Sequence, residues 1–311
     1  MAVESDSLSK PVTLGNLPVR KHRTLWGDVW VQFRKHKPAI FGLVVLAALV
    51  LGVFIGPMVY RVDPEHIDII QASLPPSLEH PFGTDDLGRD LLARNLYGGR
   101  ISISVGIFAM LVAIIFGTLI GGLSGYFRKL DNPLMRFTDM MLALPSLPLL
   151  LVIIMLFRDT LRTAIGPVTG IFILVVFVIG ILGWMPTARV VRGSVLSVKE
   201  KEFVEAAINV GTRQRSILSR HIFPNVLSPI IVSATLGVAG AILTESALSF
   251  LGLGFPSDVP TWGRLLYDGK DFMTFTPWVI IWPGLFISLT VLGINFMGDG
   301  LRDALDPKLR K

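Results

Sequence analysis

The chain alternates long apolar runs with short charged segments. Ala39 to Tyr60 carries no charge, and at ~1.5 Å per helical residue it reaches the ~30 Å of a bilayer core. Ile101 to Leu123 and Thr163 to Ala188 are equally free of charge, while Pro229 to Phe250 contains only Glu245 and Trp278 to Phe296 none. A water-soluble helix keeps one polar face, and these runs have none. A sixth run, from near Phe137 to near Phe157, holds Pro145 and Pro148, which predict a bend. The pattern therefore predicts an all-α polytopic membrane protein with six transmembrane helices. Between Phe137 and Ala188 a re-entrant hairpin is the alternative to two full spans. The first run is too long, and starts too late, for a cleaved signal peptide. Gly117, Gly121 and Gly125 recur every fourth residue in or beside the second run, a spacing that lets another helix approach closely.

Composition agrees, with 51% hydrophobic and 17% charged residues. The chain divides into an amino-terminal segment 1–38, a first transmembrane helix 39–60, a polar segment 61–100, a five-helix core 101–298 containing a charged loop 189–228, and a tail 299–311. With the amino terminus inside, the inner segments carry +4, +2, +4 and +1 and the outer ones −3, +1 and −1. The positive-inside rule thus predicts both termini in the cytoplasm and 61–100 outside. The net charge of +6 brackets apolar runs and forms no single stripe, which speaks against nucleic acid as a partner. Cys is absent and the five His are scattered, so no metal site and no catalytic set is readable. No GxxxxGK[ST] run occurs, and any nucleotide energy must come from another polypeptide.

The most informative polar stretch is Phe203 to Asn225. Glu202, Phe203, Ala206, Ala207 and Val210 suit one short helix and Gly211 a turn. Arg213, Ile217, Leu218 and His221 suit a second helix that Pro224 ends or kinks. Such a hairpin either merely connects two spans or docks a soluble partner through its small Ala pair and basic charge. Within the spans, Glu245 is a candidate pore or gate residue, with helix packing as the alternative, and Asp139 lies near the inner loop. Asn295 suits a hydrogen bond between helices, and Trp262, Trp278 and Trp282 suit an interfacial anchor. Thr84, Asp85, Asp86, Arg89 and Asp90 suit either a cap folded by ion pairs or an extracytoplasmic contact for a delivery protein or cation.

The stretch around Glu205 resembles the EAA loop of bacterial ABC importer permeases. Glu205, Ala206, Ala207 and Gly211 match its pattern in type and spacing and Pro224 matches its final Pro, whereas His221 and Phe223 replace the expected Ile and Leu. FGTDDLGRD at Phe82 to Asp90, ARVVRG at Ala188 to Gly193, LSFLGLG at Leu248 to Gly254 and GDGLRDALDPKLRK at Gly298 to Lys311 are similar to the C-type permease subunits of oligopeptide and dipeptide importers. These are inner-membrane components of binding-protein-dependent transport systems. The resemblance covers about residues 25 to 311 and implies the type I ABC importer permease fold in the bacterial inner (plasma) membrane. It also implies a homologous second permease, two cytoplasmic ATPases holding ATP and Mg2+, an extracytoplasmic peptide-binding protein, and a peptide passing through membrane lipid. This chain itself would hold no cofactor and would not be an enzyme. Glu205, Ala206, Ala207, Gly211 and Pro224 would couple it to an ATPase. The same architecture would also suit nickel chelates, glutathione or another small solute. An ion-driven secondary transporter would instead show two related halves with ion ligands at the midplane, and neither is readable.

Overall fold

The structure, a computed structural model, describes residues 25–306. Eleven α-helices appear in it, with no named strand among the described residues. The chain opens with α1 (Leu25–Lys35), α2 (Lys37–Val59) and α3 (Leu91–Tyr126). α4 (Arg128–Ala143), α5 (Ser146–Ile165) and α6 (Pro167–Lys199) follow. The short α7 (Glu202–Asn209) and α8 (Gln214–Ser216) precede a π-helical turn, Ile217–Ile222, that runs into α9 (Phe223–Phe250); α10 (Trp262–Gly269) and α11 (Trp278–Leu305) complete the chain. Five helical stretches are long and apolar enough to cross a membrane, and the bent pair α4 and α5 makes up to six.

The pairing of α3 with α6 is the largest helix contact, and the predicted glycine row explains it. A β-carbon on Gly117, Gly121 or Gly125 would lie 2.7 Å from Thr187 Cβ, 2.9 Å from Val191 Cβ or 2.8 Å from Val195 Cβ. Only hydrogen fits at that separation, so the two backbones touch over several turns. On the other flank α2 packs on α11 and on α3. Pro57 lies within α2 and has no N–H for the Val53 carbonyl four residues back. Arg100 of α3 supplies the missing donor, with Nε 2.7 Å from Val53 O and Nη2 2.6 Å from Phe54 O.

Several boundaries differ from the sequence reading. The amino-terminal segment includes an amphipathic helix, α1, whose Val29 and Phe33 pack on Ala304 and Leu305; residues 1–24 lie outside the described region. Trp26, Val29, Trp30 and Phe33 already carried this helical spacing. α3 begins ten residues before the expected span, because Asp90 accepts from Ala93 N and caps it there. α6 and α11 continue beyond their apolar runs to Lys199 and Leu305, so part of the expected inner loop and tail is helical. The expected single span Phe137 to Phe157 is instead two helices meeting at 84° around Leu144 and Pro145. Proline disfavours helical geometry in the residue before it, which places the break there.

Arg100→Leu is expected to lower the thermal unfolding temperature of the purified chain by several degrees, about 1–2 kcal/mol. Pro57→Ala restores an N–H for Val53 O, so Pro57→Ala/Arg100→Leu should recover part of that loss. Equal losses in the single and double variants would show that Arg100 acts elsewhere.

Candidate translocation and coupling site

At one end of the bundle the chain leaves α6 and forms a hairpin. Glu202 and Glu205 occupy the first turn of α7, where negative charge suits the helix dipole. α7 ends in a two-bond cap, with Gly211 N donating to Ile208 O at 2.9 Å and Thr212 N to Ala207 O at 3.1 Å. Gly211 adopts φ +78°, a backbone region that glycine enters without steric cost. Arg213 then caps α8 and does not join it, unlike the sequence expectation. Pro224 does not end the helix. The preceding turn widens to a π-helix, Phe223 N donates to Leu218 O, and the helix runs on to Phe250.

The hairpin is seated by one apolar cluster. Val204, Ile217 and Ile222 are buried against Val191, Val195 and Val198 of α6 and Val226 and Ile230 of α9. Lys199 Nζ donates to Tyr126 O at 2.9 Å, joining the ends of α3 and α6. Glu205, Ala206, Gly211 and Pro224 are exposed. The Ala pair divides: Ala206 faces outward, while Ala207 is half-buried against the cluster. A hairpin fixed in this way cannot move without α6 and α9.

Those same helices wall a cavity of about 1070 Å3. Its lining along α9 runs from Asn225 to Ala247, about 33 Å at the helical rise and thus the depth of a membrane. Ala109 of α3, Leu150 of α5, Gly183 of α6 and Gly240 of α9 contribute small or apolar surface, and Arg302 and Asp306 lie at the hairpin end. A hydroxyl pair, Thr187 Oγ1 and Ser233 Oγ at 3.1 Å, ties α6 to α9 in this wall. Arg302 and Asp306 are the charged residues of this lining.

Glu245 is not among the lining residues. It is 0% exposed and accepts from Ser102 Oγ at 2.9 Å and Ser249 Oγ at 2.8 Å. Ser102 Oγ also accepts from Trp262 N at 3.2 Å, and Trp262 Nε1 donates to Asn95 O at 3.0 Å. The carboxylate thus braces the junction of α3, α9 and α10. Asp139 forms an exposed ion pair with Arg189, at 2.5 Å. Asn295 is half-buried on α11.

The opposite end is a cap built from residues 61–90, α10 and the start of α11. Asp85 Oδ2 accepts from Arg89 Nε at 2.7 Å and from Arg94 Nη1 at 2.8 Å, and Asp268 pairs with Arg264 and Arg94. Asp90 Oδ2 receives Tyr60 OH at 2.8 Å and lies 2.8 Å from His80 Nδ1. Asp85, Arg89 and Asp90 are buried, which leaves Asp86 as the partly exposed member of the predicted group. Its carboxyl pKa is raised, first by burial and then by Asp85. The tryptophans are not a loose interfacial belt: Trp262 is fully buried, Trp282 stacks on Phe82 with ring centres 3.9 Å apart, and Trp278 Nε1 reaches Thr84 O at 3.3 Å. Among the described residues no group of three or more His, Cys, Asp or Glu is placed to hold a metal.

With this geometry in hand, comparison with known proteins is decisive for the family. Residues 98–311 match the family model described as binding-protein-dependent transport system inner membrane component, and residues 24–76 match the N-terminal TM domain of oligopeptide transport permease C. The chain belongs to the binding-protein-dependent permease family. It is 43% identical to the oligopeptide transport system permease protein OppC of Escherichia coli K12, covering 93% of each chain. It is 40% identical to the protein of the same name in Bacillus subtilis, over 94% of this chain and 92% of the relative. The dipeptide transport system permease protein DppC of Alkalihalophilus pseudofirmus is 41% identical, over 92% and 90%. A chain of the MetNI methionine ABC transporter in inward-facing conformations aligns with a TM-score of 0.55 at 16% identity, covering 70% of this permease and 96% of that chain. This likeness supports the type I ABC importer permease fold. The permease is a subunit of an ABC transport system.

Glu245→Leu should destabilise this permease by about 2–4 kcal/mol, since it strands two buried hydroxyl donors. Glu245→Gln keeps an acceptor and should cost less than half as much, read by thermal unfolding in detergent. For Asp86, whose folded pKa is raised, the protonated form is the one folding favours. Stability from this group is present at low pH and lost as pH rises through the carboxylate range. Asp86→Asn should therefore raise the unfolding temperature at neutral pH, and the gain should fade on acidification.

Proposed function

We propose that this chain is the membrane-spanning permease subunit of an ATP-driven importer of oligopeptides or dipeptides in the bacterial inner membrane. The observation that carries the proposal is the exposed hairpin of Glu205, Ala206 and Gly211, seated by one buried cluster on the two helices that wall the cavity. The names of the relatives, oligopeptide and dipeptide permeases alike, support the substrate class. In this reading the cavity is half of a path completed by a homologous second permease. Two cytoplasmic ATPases supply ATP and Mg2+ chemistry, and an extracytoplasmic binding protein delivers peptide to the cap side.

The coupling role falls to α7 and its turn. Ala206 lets a partner surface approach the helix backbone, Gly211 sets the turn by which the chain passes from α7 to α8, and Ala207 and Pro224 hold the hairpin's shape. A push on the hairpin is transmitted through Val204, Ile217 and Ile222 to α6 and α9, which move the cavity wall. Glu245, Asp85, Arg89 and Asp90 then act as braces of the cap and its junction, and Asp86 is the member of the cap that faces outward to a delivery protein. The basic hairpin side lies in the cytoplasm.

Reconstitution of the complex carrying this chain in proteoliposomes, with labelled peptides supplied through the binding protein, tests the proposal. Uptake should require ATP. Ala206→Trp and Gly211→Pro should each cut uptake about tenfold or more, the equivalent of at least ~1.4 kcal/mol, while partner ATP hydrolysis continues. Normal coupled uptake in an assembled Ala206→Trp complex would exclude the close contact, and uptake that follows an ion gradient without ATP would exclude the importer class. Because the chain has no Cys, Gly211→Cys also offers a single thiol whose protection from external reagent in intact cells reads the orientation.

A further inference from the structure

We infer that α4 is an interfacial helix that binds the anionic headgroups of membrane lipid on the hairpin side of the bilayer. The inference rests on the membrane-spanning reading of α5 and α6 and not on peptide or ATPase. Its first support is geometric. α5 has 20 residues, apolar from Leu147 to Phe157 and carrying Arg158, Asp159 and Arg162 toward the end remote from α4, and α4 meets it at 84°. If α5 crosses the membrane, α4 lies along its surface.

The level of α4 is fixed by two ion pairs to α6. Asp131 takes Arg192 through both oxygens, at 2.5 and 2.7 Å, and Asp139 takes Arg189 at 2.5 Å. Arg189 is the first charged residue after the run Thr163 to Ala188, so these pairs sit where the apolar part of α6 stops. Their spacing is also informative. The two aspartates are eight residues apart on α4, about 12 Å along its axis, whereas their partners are three apart on α6, about 4.5 Å. Parallel helices would keep those spacings equal, and a transverse crossing would not.

The outer surface of α4 is amphipathic. Leu130, Phe137 and Met140 share one face; Met140 is 58% exposed, and Phe137, whose ring stacks on Trp184 of α6, keeps 47% of its surface exposed. Asn132 and Asp139 lie on the other side, and Lys129 and Arg136 stand together on the flank, beside Met140. Both carboxylates of the helix are taken up by α6, while Arg128, Lys129 and Arg136 are exposed and make no ion pair among the described residues. What α4 offers outward is therefore an apolar strip edged by cations. That combination fits acyl chains below and phosphate headgroups beside it, and each such cation near an anionic surface strengthens binding about fivefold.

The test uses the complex isolated through the full-length chain and placed in nanodiscs of phosphatidylcholine, with or without phosphatidylglycerol. Met140→Cys, and separately Phe137→Cys, provides the chain's only thiol for a fluorophore, and Asn132→Cys marks the opposite face. Labels at 140 and 137 should be quenched by nitroxide-bearing lipid and shielded from iodide, with the reverse at 132. Phosphatidylglycerol should raise the unfolding temperature, and Lys129→Gln/Arg136→Gln should weaken that effect at least tenfold in lipid concentration. Shielding of 140 and 137 from both quenchers would place a protein on this face and overturn the inference, as would free access of iodide. Equal stabilisation by inorganic phosphate would show a simple anion site and would overturn it too.

Discussion

The contact on which the rest of the structure depends is the approach of α3 to α6 along Gly117, Gly121 and Gly125. In a bilayer, apolar surface gains little by leaving lipid for protein, so helix pairs are held by close packing and by polar groups that find partners. Three missing side chains bring the α3 backbone against Thr187, Val191 and Val195. That seam fixes α6, and α6 in turn seats the hairpin, walls the cavity and anchors α4. A side chain at any of these glycines would disturb all three.

The second constraint is that backbone and charged groups at membrane depth must be satisfied within the protein. The chain meets it in pairs drawn from different helices. Pro57 frees a carbonyl of α2 and Arg100 of α3 takes it; Glu245 of α9 is answered by Ser102 of α3 and by Ser249. Each solution is also a strut, because a polar contact whose alternative is hydrocarbon fixes the two elements it joins. The struts concentrate at the cap end, where Asp85, Asp90, Arg94 and Asp268 knit residues 61–90 to α2, α3 and α10. The cavity wall, by contrast, is lined by small and apolar residues with few ionic ties.

Much was legible in the sequence because water and hydrocarbon differ so strongly as solvents. Charge-free length located α2, α3, α6 and α11, a run broken only by Glu245 located α9, and the row of glycines named the close face of α3. The left-handed turn at Gly211 followed from the residue type, since few others adopt that backbone angle at low cost. Membership of the permease family was readable from the spacing of Glu205, Ala206, Ala207 and Gly211 and from motifs in order along the chain.

Tertiary structure alone decided which way each residue faces. Lipid and protein interior are both apolar, so hydropathy carries no contrast between a side chain that meets lipid, another helix or the cavity. For that reason Glu245 turned out to brace a junction away from the cavity wall, Trp262 to be core, and Ala206 and Ala207 to point differently. The 84° break before α5 was signalled by Pro145, but its consequence, a helix lying across α6, depends on Asp131 and Asp139 meeting Arg192 and Arg189 far along the chain. Local pattern fixes what dissolves in the membrane; only long-range contact fixes what it touches there.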